Sequence, residues 1–270
     1  MLEMFPFNKL AGLCSGLFNY FQLLFAEFFV LVLLQGPIPK HIGFIMDGNR
    51  RFARMKKCEI KDGHIAGFNG LKTVLEWCLK LKIETVTVYA FSIDNFNRPR
   101  PEVEALMELA KLRITELAEN SHYVKQHNIR IQLIGKLDLL PEDVKIAMEK
   151  VNEKTKNNTG PLLNICFPYL SSQEISNATL KVSQLCQNRN LELDSVTVQD
   201  IENNLYTNKS PQLELLIRTS GESRLSNFLL WQAAKGCIFS SVCVYWPQIS
   251  FYTLFNSIMH FQIYKLFNSV

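Results

Sequence analysis

The chain has 270 residues, 47% of them hydrophobic, enough for one sizeable domain. Its 29 Lys and Arg against 25 Asp and Glu leave a net charge of only +4, and no basic tract carries interleaved aromatics, which argues against a nucleic-acid-binding protein. The seven cysteines (Cys14, Cys58, Cys78, Cys166, Cys186, Cys237 and Cys243) are odd in number and form no CxxC pair. Reduced, mostly buried thiols in a cytosol-facing domain are expected, with no zinc site.

Leu10 to Leu34 is apolar and aromatic, interrupted by Asn19, Gln22 and Glu27. A spanning helix needs about 20 mostly apolar residues, so the length suffices. The expectation is a membrane-associated helix, spanning or interfacial; the alternative is a helix packed on the domain or across a subunit interface. If it spans, Lys40, Arg50, Arg51 and Arg54 on its C-terminal side put the domain in the cytosol. Gly36-Pro37-Ile38-Pro39 breaks it, dividing the chain into an N-terminal segment 1–36 and a domain 37–270.

Beyond Pro39 strand and helix patterns alternate. Strands are expected at Ile42–Met46, Thr85–Phe91, Ile129–Ile134, Leu162–Phe167, Leu213–Ile217 and Cys237–Val244. Helices are expected at about Gly63–Lys82, with Leu71, Val74, Leu75, Cys78 and Leu79 on one stripe, and at Pro101–Gln126, Pro141–Lys154 and Ser172–Gln187. Near-continuous apolar strands separated by helices argue for an α/β domain around a mostly parallel sheet covered on both faces.

The first strand runs into Asp47-Gly48-Asn49-Arg50-Arg51. This order places a carboxylate, free backbone N–H groups and two guanidinium forks at one strand end. A magnesium-bound diphosphate needs all of these together. Asp47 as a helix cap beside two solvated arginines is the plainer reading of that stretch alone. Two further clusters follow their own strands: Ser92-Ile93-Asp94-Asn95-Phe96-Asn97-Arg98, and Arg218-Thr219-Ser220-Gly221-Glu222-Ser223-Arg224-Leu225-Ser226. Parallel strands end on the same sheet edge, where open α/β sheets bind ligands. Asp47, Arg50, Arg51, Arg98, Arg218 and Arg224 can therefore converge there. Ser226 stands where a helix beginning at Asn227 needs an N-cap, and its hydroxyl could instead meet a phosphate. His64, at a helix start, could add a donor. Two diphosphates side by side justify so much positive charge: one unit-charge pair at 4 Å is worth ~1 kcal/mol in water and ~4 kcal/mol at an effective dielectric of 20.

These clusters, in HIGFIMDGNRRFA, GHIAGF, VTVYAFSIDNFNRP, LYTNKSP, LLIRTSGESRLSNFLLWQ and the later YWP, resemble the cis-prenyltransferases of the undecaprenyl diphosphate synthase type, most nearly the eukaryotic dehydrodolichyl-type catalytic subunits. The resemblance spans about Pro39 to Phe261. It implies a single α/β domain and repeated cis addition of isopentenyl diphosphate to farnesyl diphosphate, giving a long-chain polyprenyl diphosphate for dolichol synthesis. A non-catalytic or degenerate accessory subunit is the alternative; such subunits typically lose the Asp-Gly-Asn-Arg cluster that this chain retains.

Carried over residue by residue, the resemblance makes Asp47 the Mg2+ and diphosphate residue. It gives Gly48, Asn49, Arg50, Arg51 and His64 to the allylic diphosphate, and Arg98, Arg218, Arg224 and Ser226 to isopentenyl diphosphate. Asn95 and Ser92 become candidates for handling the lost proton, and the helices around Leu71–Leu79 and Leu106–Ile114 candidates for lining an apolar tunnel. Ile60, Asp94, Ser172 and Cys237 depart from the usual arginine, glutamate, arginine and bacterial glutamate. The chain closes without an Arg-x-Gly segment, which resembles chains working with a Nogo-B-receptor-like subunit in a hetero-oligomer at the endoplasmic reticulum membrane.

Overall fold

The computed structural model describes residues 27–120, 122–188 and 192–268. Six parallel strands form one sheet in the order β3-β4-β2-β1-β5-β6: β1 His41–Ile45, β2 Thr85–Tyr89, β3 Arg130–Ile134, β4 Leu162–Cys166, β5 Leu215–Arg218 and β6 Ile238–Ser241. All six lie within or beside the segments expected from the sequence. The central strands are buried along their whole length, which is why they read as unbroken apolar runs rather than alternating ones.

The helices are α1 over residues 27–33, α2 Asn49–Lys56, α3 Ile60–Lys80, α4 Arg100–Asn120, α5 His122–Gln126, α6 Glu142–Thr155, α7 Ser171–Gln187, α8 Val198–Asn203, α9 Leu230–Ala233 and α10 Phe251–Asn268. The main core packs α1, α3, α4, α6 and α10 on one sheet face, through Leu33, Val74, Met107, Met148 and Ile258 among others. A smaller cluster around Ile45, Cys166, Tyr169, Phe228 and Leu229 covers the other face.

Several expectations shift. The helix expected from Gly63 starts one turn earlier, at Ile60, where Glu59 and Asp62 form a capping box. His64 therefore sits in the second turn, not at a helix start. The long helix expected from Pro101 to Gln126 is found as helix over Arg100–Asn120 and His122–Gln126, with residue 121 outside the described residues. No helix begins at Asn227; α9 is four residues long with Leu229 as its N-cap, so Ser226 caps nothing. The thiols are less buried than expected: among the described ones Cys78 and Cys166 are buried, Cys186 and Cys237 half-buried, Cys58 and Cys243 exposed. Of the apolar Leu10–Leu34 segment, residues 10–26 lie outside the described residues. Among those described, no helix is long and apolar enough to cross a membrane. Residues 27–33 pack on the domain: Leu33 is fully buried, its carbonyl accepts from Gln262 Nε2, and the Phe29 ring meets Phe255 at 4.8 Å.

Candidate active site

The chain leaves β1 to pair β2 on one side and returns later to pair β5 on the other. This makes the C-terminal ends of β1 and β5 a topological switch point, where such sheets hold ligands. Asp47 follows β1 directly. Its backbone is pinned from both sides: its N–H donates to Thr219 Oγ1 at 3.0 Å, and its carbonyl accepts from Thr219 Oγ1 at 2.7 Å and from the Trp246 N–H at 2.9 Å. Gly48 then takes φ +107 as the N-cap of α2; a Cβ there would lie 2.3 Å from Ser220 Oγ. The cap of α2 is thus Gly48, not the Asp47 carboxylate, which is left free to face the cleft.

Arg218 closes β5 opposite Ile45, almost wholly buried. Its Nη2 donates to Asp47 Oδ2 at 2.9 Å, and its Nη1 to Ser226 Oγ at 2.7 Å and to the Arg224 carbonyl. Arg51 reaches the other Asp47 oxygen at 3.1 Å. Two glutamates tie α2 to later segments in the same way. Glu222 holds Arg51 at 3.1 Å and Arg224; Glu102 holds Arg98 at 3.2 Å and Arg50 at 3.7 Å. The sequence reading missed Glu102, Glu222 and Thr219. Their signal was their position, within or just beyond the basic clusters, since that much fixed charge needs internal counter-charge when no ligand is bound.

Burial alone would raise the Asp47 carboxyl, but the hydrogen bonds and charges of Arg218 and Arg51 outweigh it and hold the group below the usual carboxylate range. His64 is lowered to about 4, first by burial and then by the nearby Arg98 and Arg50 charges. At neutral pH it is an uncharged donor or acceptor. Its Nε2 is buried without a partner, as are Asn49 Oδ1 and Arg218 Nε. Unpaired buried polar atoms cost about 1–3 kcal/mol each, and these three residues line the same cavity as Asp47. Burial likewise pushes the Cys237 thiol up to about 12.

Behind this polar mouth a cavity of about 630 Å³ runs between the sheet and helices α3 and α4. Asp47, Asn49, His64, Ser92, Asn95, Arg98, Arg218, Arg224 and Ser226 line it at one end. Val88, Phe68, Leu71, Leu106, Ala110 and Ile114 line the rest. The stripes expected to form a tunnel thus contribute Leu71, Leu106 and Ile114, while Val74 and Cys78 are core. Gly48, Arg50 and Arg51 stand at the rim rather than in the wall. Asn95 is partly engaged: its Oδ1 accepts from the Ser92 N–H at 3.2 Å in a capping box.

A cleft that sets guanidiniums and one carboxylate beside apolar side chains, at the switch point of a parallel sheet, is suited to an enzyme of prenyl diphosphates. Residues 45–266 match the family model described as "Putative undecaprenyl diphosphate synthase". The human dehydrodolichyl diphosphate synthase complex subunit is 43% identical over 240 residues, 89% of this chain and 72% of that one. A subunit of the corresponding complex from Schizosaccharomyces pombe is 40% identical over 229 residues, 85% and 87% of the two chains. Lavandulyl diphosphate synthase from Lavandula x intermedia, solved in complex with dimethylallyl diphosphate, superposes with a TM-score of 0.77 at 28% identity, over 83% of this chain and 95% of that one. The chain belongs to the undecaprenyl diphosphate synthase family of cis-prenyltransferases and is a prenyl-transferring enzyme.

Proposed function

We propose that this enzyme adds isopentenyl diphosphate repeatedly to farnesyl diphosphate, building the long-chain polyprenyl (dehydrodolichyl) diphosphate from which dolichol is made. The observation that carries the reading is one cavity whose lining combines Asp47 and the guanidiniums of Arg98, Arg218 and Arg224 with apolar side chains from α3 and α4. Asn49, Arg50, Arg51 and His64, with the α2 N-terminus at Gly48, suit the allylic diphosphate. Arg98, Arg218, Arg224 and Ser226 suit that of the incoming unit.

Turnover breaks the allylic C–O bond, and charge collects on the departing diphosphate. Fixed guanidiniums aimed at that group stabilise it at little reorganisation cost. The double bond of the second substrate attacks the allylic carbon, and a proton then leaves. An amide cannot keep a proton, so Asn95 acts by orientation and the released diphosphate is the available base.

Among the described residues no group of three His, Cys, Asp or Glu side chains could enclose a metal. That donor set still fits Mg2+, which binds through one or two carboxylates, waters and substrate phosphates rather than an all-protein cage. Asp47 would hold it, and the ion would neutralise phosphate charge when bound. Each Asp47 oxygen carries one guanidinium bond and keeps a further lone pair that could serve the ion.

The relatives named as complex subunits favour a partner, for which a Nogo-B-receptor-like chain at the endoplasmic reticulum membrane, with this domain facing the cytosol, is our reading. Incubation with farnesyl diphosphate and labelled isopentenyl diphosphate, with and without that partner, tests it. Full activity of the chain alone would remove the partner requirement.

A further inference from the structure

Helix α7 runs for 17 residues from Ser171, yet its own N-cap, Leu170, offers no side-chain acceptor. The first N–H groups of a helix need partners from outside it. Here they come from a distant loop. The Asn227 carbonyl accepts from the Ser171 N–H at 2.8 Å, and Asn227 Oδ1 accepts from the Ser172 N–H at 2.9 Å. Asn227 Nδ2 donates to Ser172 Oγ at 2.9 Å, and the Leu230 N–H donates to Ser171 Oγ at 3.0 Å.

The loop so fastened is strained. Ser226, Asn227 and Leu229 all adopt left-handed backbone, with φ +48, +57 and +46. Outside glycine such conformations cost energy and persist only where the surroundings over-determine them. Their consequence is the placement of Ser226, whose hydroxyl meets Arg218 Nη1 and whose carbonyl accepts from the Tyr89 hydroxyl at 3.3 Å.

We infer that Asn227 is a positioning residue: by capping α7 from outside, it locks the Ser226 loop in its strained form and so sets the isopentenyl diphosphate subsite. Ser172 is its counterpart, and its N–H and hydroxyl serve the clamp. The inference deepens the proposed function and rests on it for the identity of the second substrate.

Three variants separate cap from backbone. Asn227→Gly keeps the left-handed conformation and the backbone bond to Ser171 but loses both side-chain bonds to Ser172. Asn227→Asp keeps the acceptor. Ser172→Pro removes the donated N–H within the first helical turn, where proline is tolerated, and leaves the loop sequence untouched. With folding checked by circular dichroism, Asn227→Gly and Ser172→Pro should raise KM for isopentenyl diphosphate about fivefold, near 1 kcal/mol, with kcat and the farnesyl diphosphate KM within twofold. Asn227→Asp should keep the wild-type unfolding midpoint, which the other two lower, while its carboxylate in the cavity wall raises the isopentenyl diphosphate KM.

Wild-type KM in both the glycine and proline variants overturns the assignment. So does an equal loss for both substrates, or a fall in kcat alone. If the wild-type enzyme elongates no primer even with the proposed partner subunit, the substrate reading fails instead; calorimetry with inorganic pyrophosphate then decides, with weaker binding by Asn227→Gly and Ser172→Pro expected and unchanged binding contradicting.

Discussion

Asp47 and Arg218 pair across the β1–β5 switch point, Oδ2 to Nη2 2.9 Å, with the guanidinium side chain only 4% exposed. Each therefore depends on the other before any ligand arrives. Truncating one partner of such a pair leaves an uncompensated buried charge. Asp47→Ala should abolish turnover and also destabilise the fold by on the order of 3 kcal/mol. Asp47→Asn, which keeps an oxygen toward Arg218, should recover much of the stability and little of the activity. Urea unfolding beside a turnover assay distinguishes the two.

Arg224 is 63% exposed and bonded to Glu222. Its loss should cost little stability, within about 0.5 kcal/mol. Arg224→Ala is expected to raise KM for isopentenyl diphosphate by about tenfold and more than that for farnesyl diphosphate, the loss of one charge-assisted contact. Equal effects on both substrates would undo the division of the two subsites.

Much of this was legible in the sequence because it follows from local rules. Apolar runs gave all six strands, and the ends of parallel strands gave the shared edge carrying Asp47, Arg98 and Arg218. What stayed hidden depends on contacts between distant segments. Asn227 reads as the start of a helix, since Leu225-Ser226-Asn227 followed by apolar residues matches a cap pattern; its bond to the α7 N-terminus, 55 positions away, draws the loop out of that path. The helix start at Ile60 was missed because its cap is Glu59 with Asp62, an acidic variant of the usual box. The Glu102 and Glu222 bridges were missed because nothing in a lone glutamate says which arginines it will meet.

Acid should destabilise the protein through His41, which is fully buried and lowered to about 4, chiefly by burial. Its Nε2 meets Thr87 Oγ1 at 2.7 Å and its Nδ1 meets the Pro211 carbonyl at 2.9 Å, a pattern suited to the neutral ring. The unfolded histidine, near pH 6.5, takes up its proton first as pH falls. The contribution to stability is complete above pH 6.5 and is lost progressively toward pH 4, reaching about 3 kcal/mol. Denaturant titrations between pH 7 and 4.5 should show this slope, and His41→Gln should reduce it, leaving the part that His64, also lowered to about 4, contributes over the same window.

Arg113 is a charged group in the otherwise apolar part of the cavity wall. It is bonded to Glu116 at 2.5 Å and packed 5.4 Å from the Phe68 ring centroid, while Lys72 of α3 bonds the same glutamate at 2.7 Å. A cavity of about 630 Å³ is the size of a drug-like ligand site and must open to pass a long polyprenyl chain. Arg113→Leu, which removes its contact with Phe68 of α3 and leaves the Lys72–Glu116 bridge in place, should shift the products toward longer chains with initial rates within about twofold. Chromatography of the dephosphorylated products reads the shift.

The most direct measurement is magnesium-dependent transfer of label from isopentenyl diphosphate onto farnesyl diphosphate, in the presence of the proposed partner subunit, by the wild type and by Asp47→Asn. A ladder of polyprenyl products from the wild type, lost on chelation and lost in the variant, is the expected result. Equal ladders from both proteins, or no extension by the wild type, would contradict a site in which Asp47 and the surrounding guanidiniums manage two diphosphates.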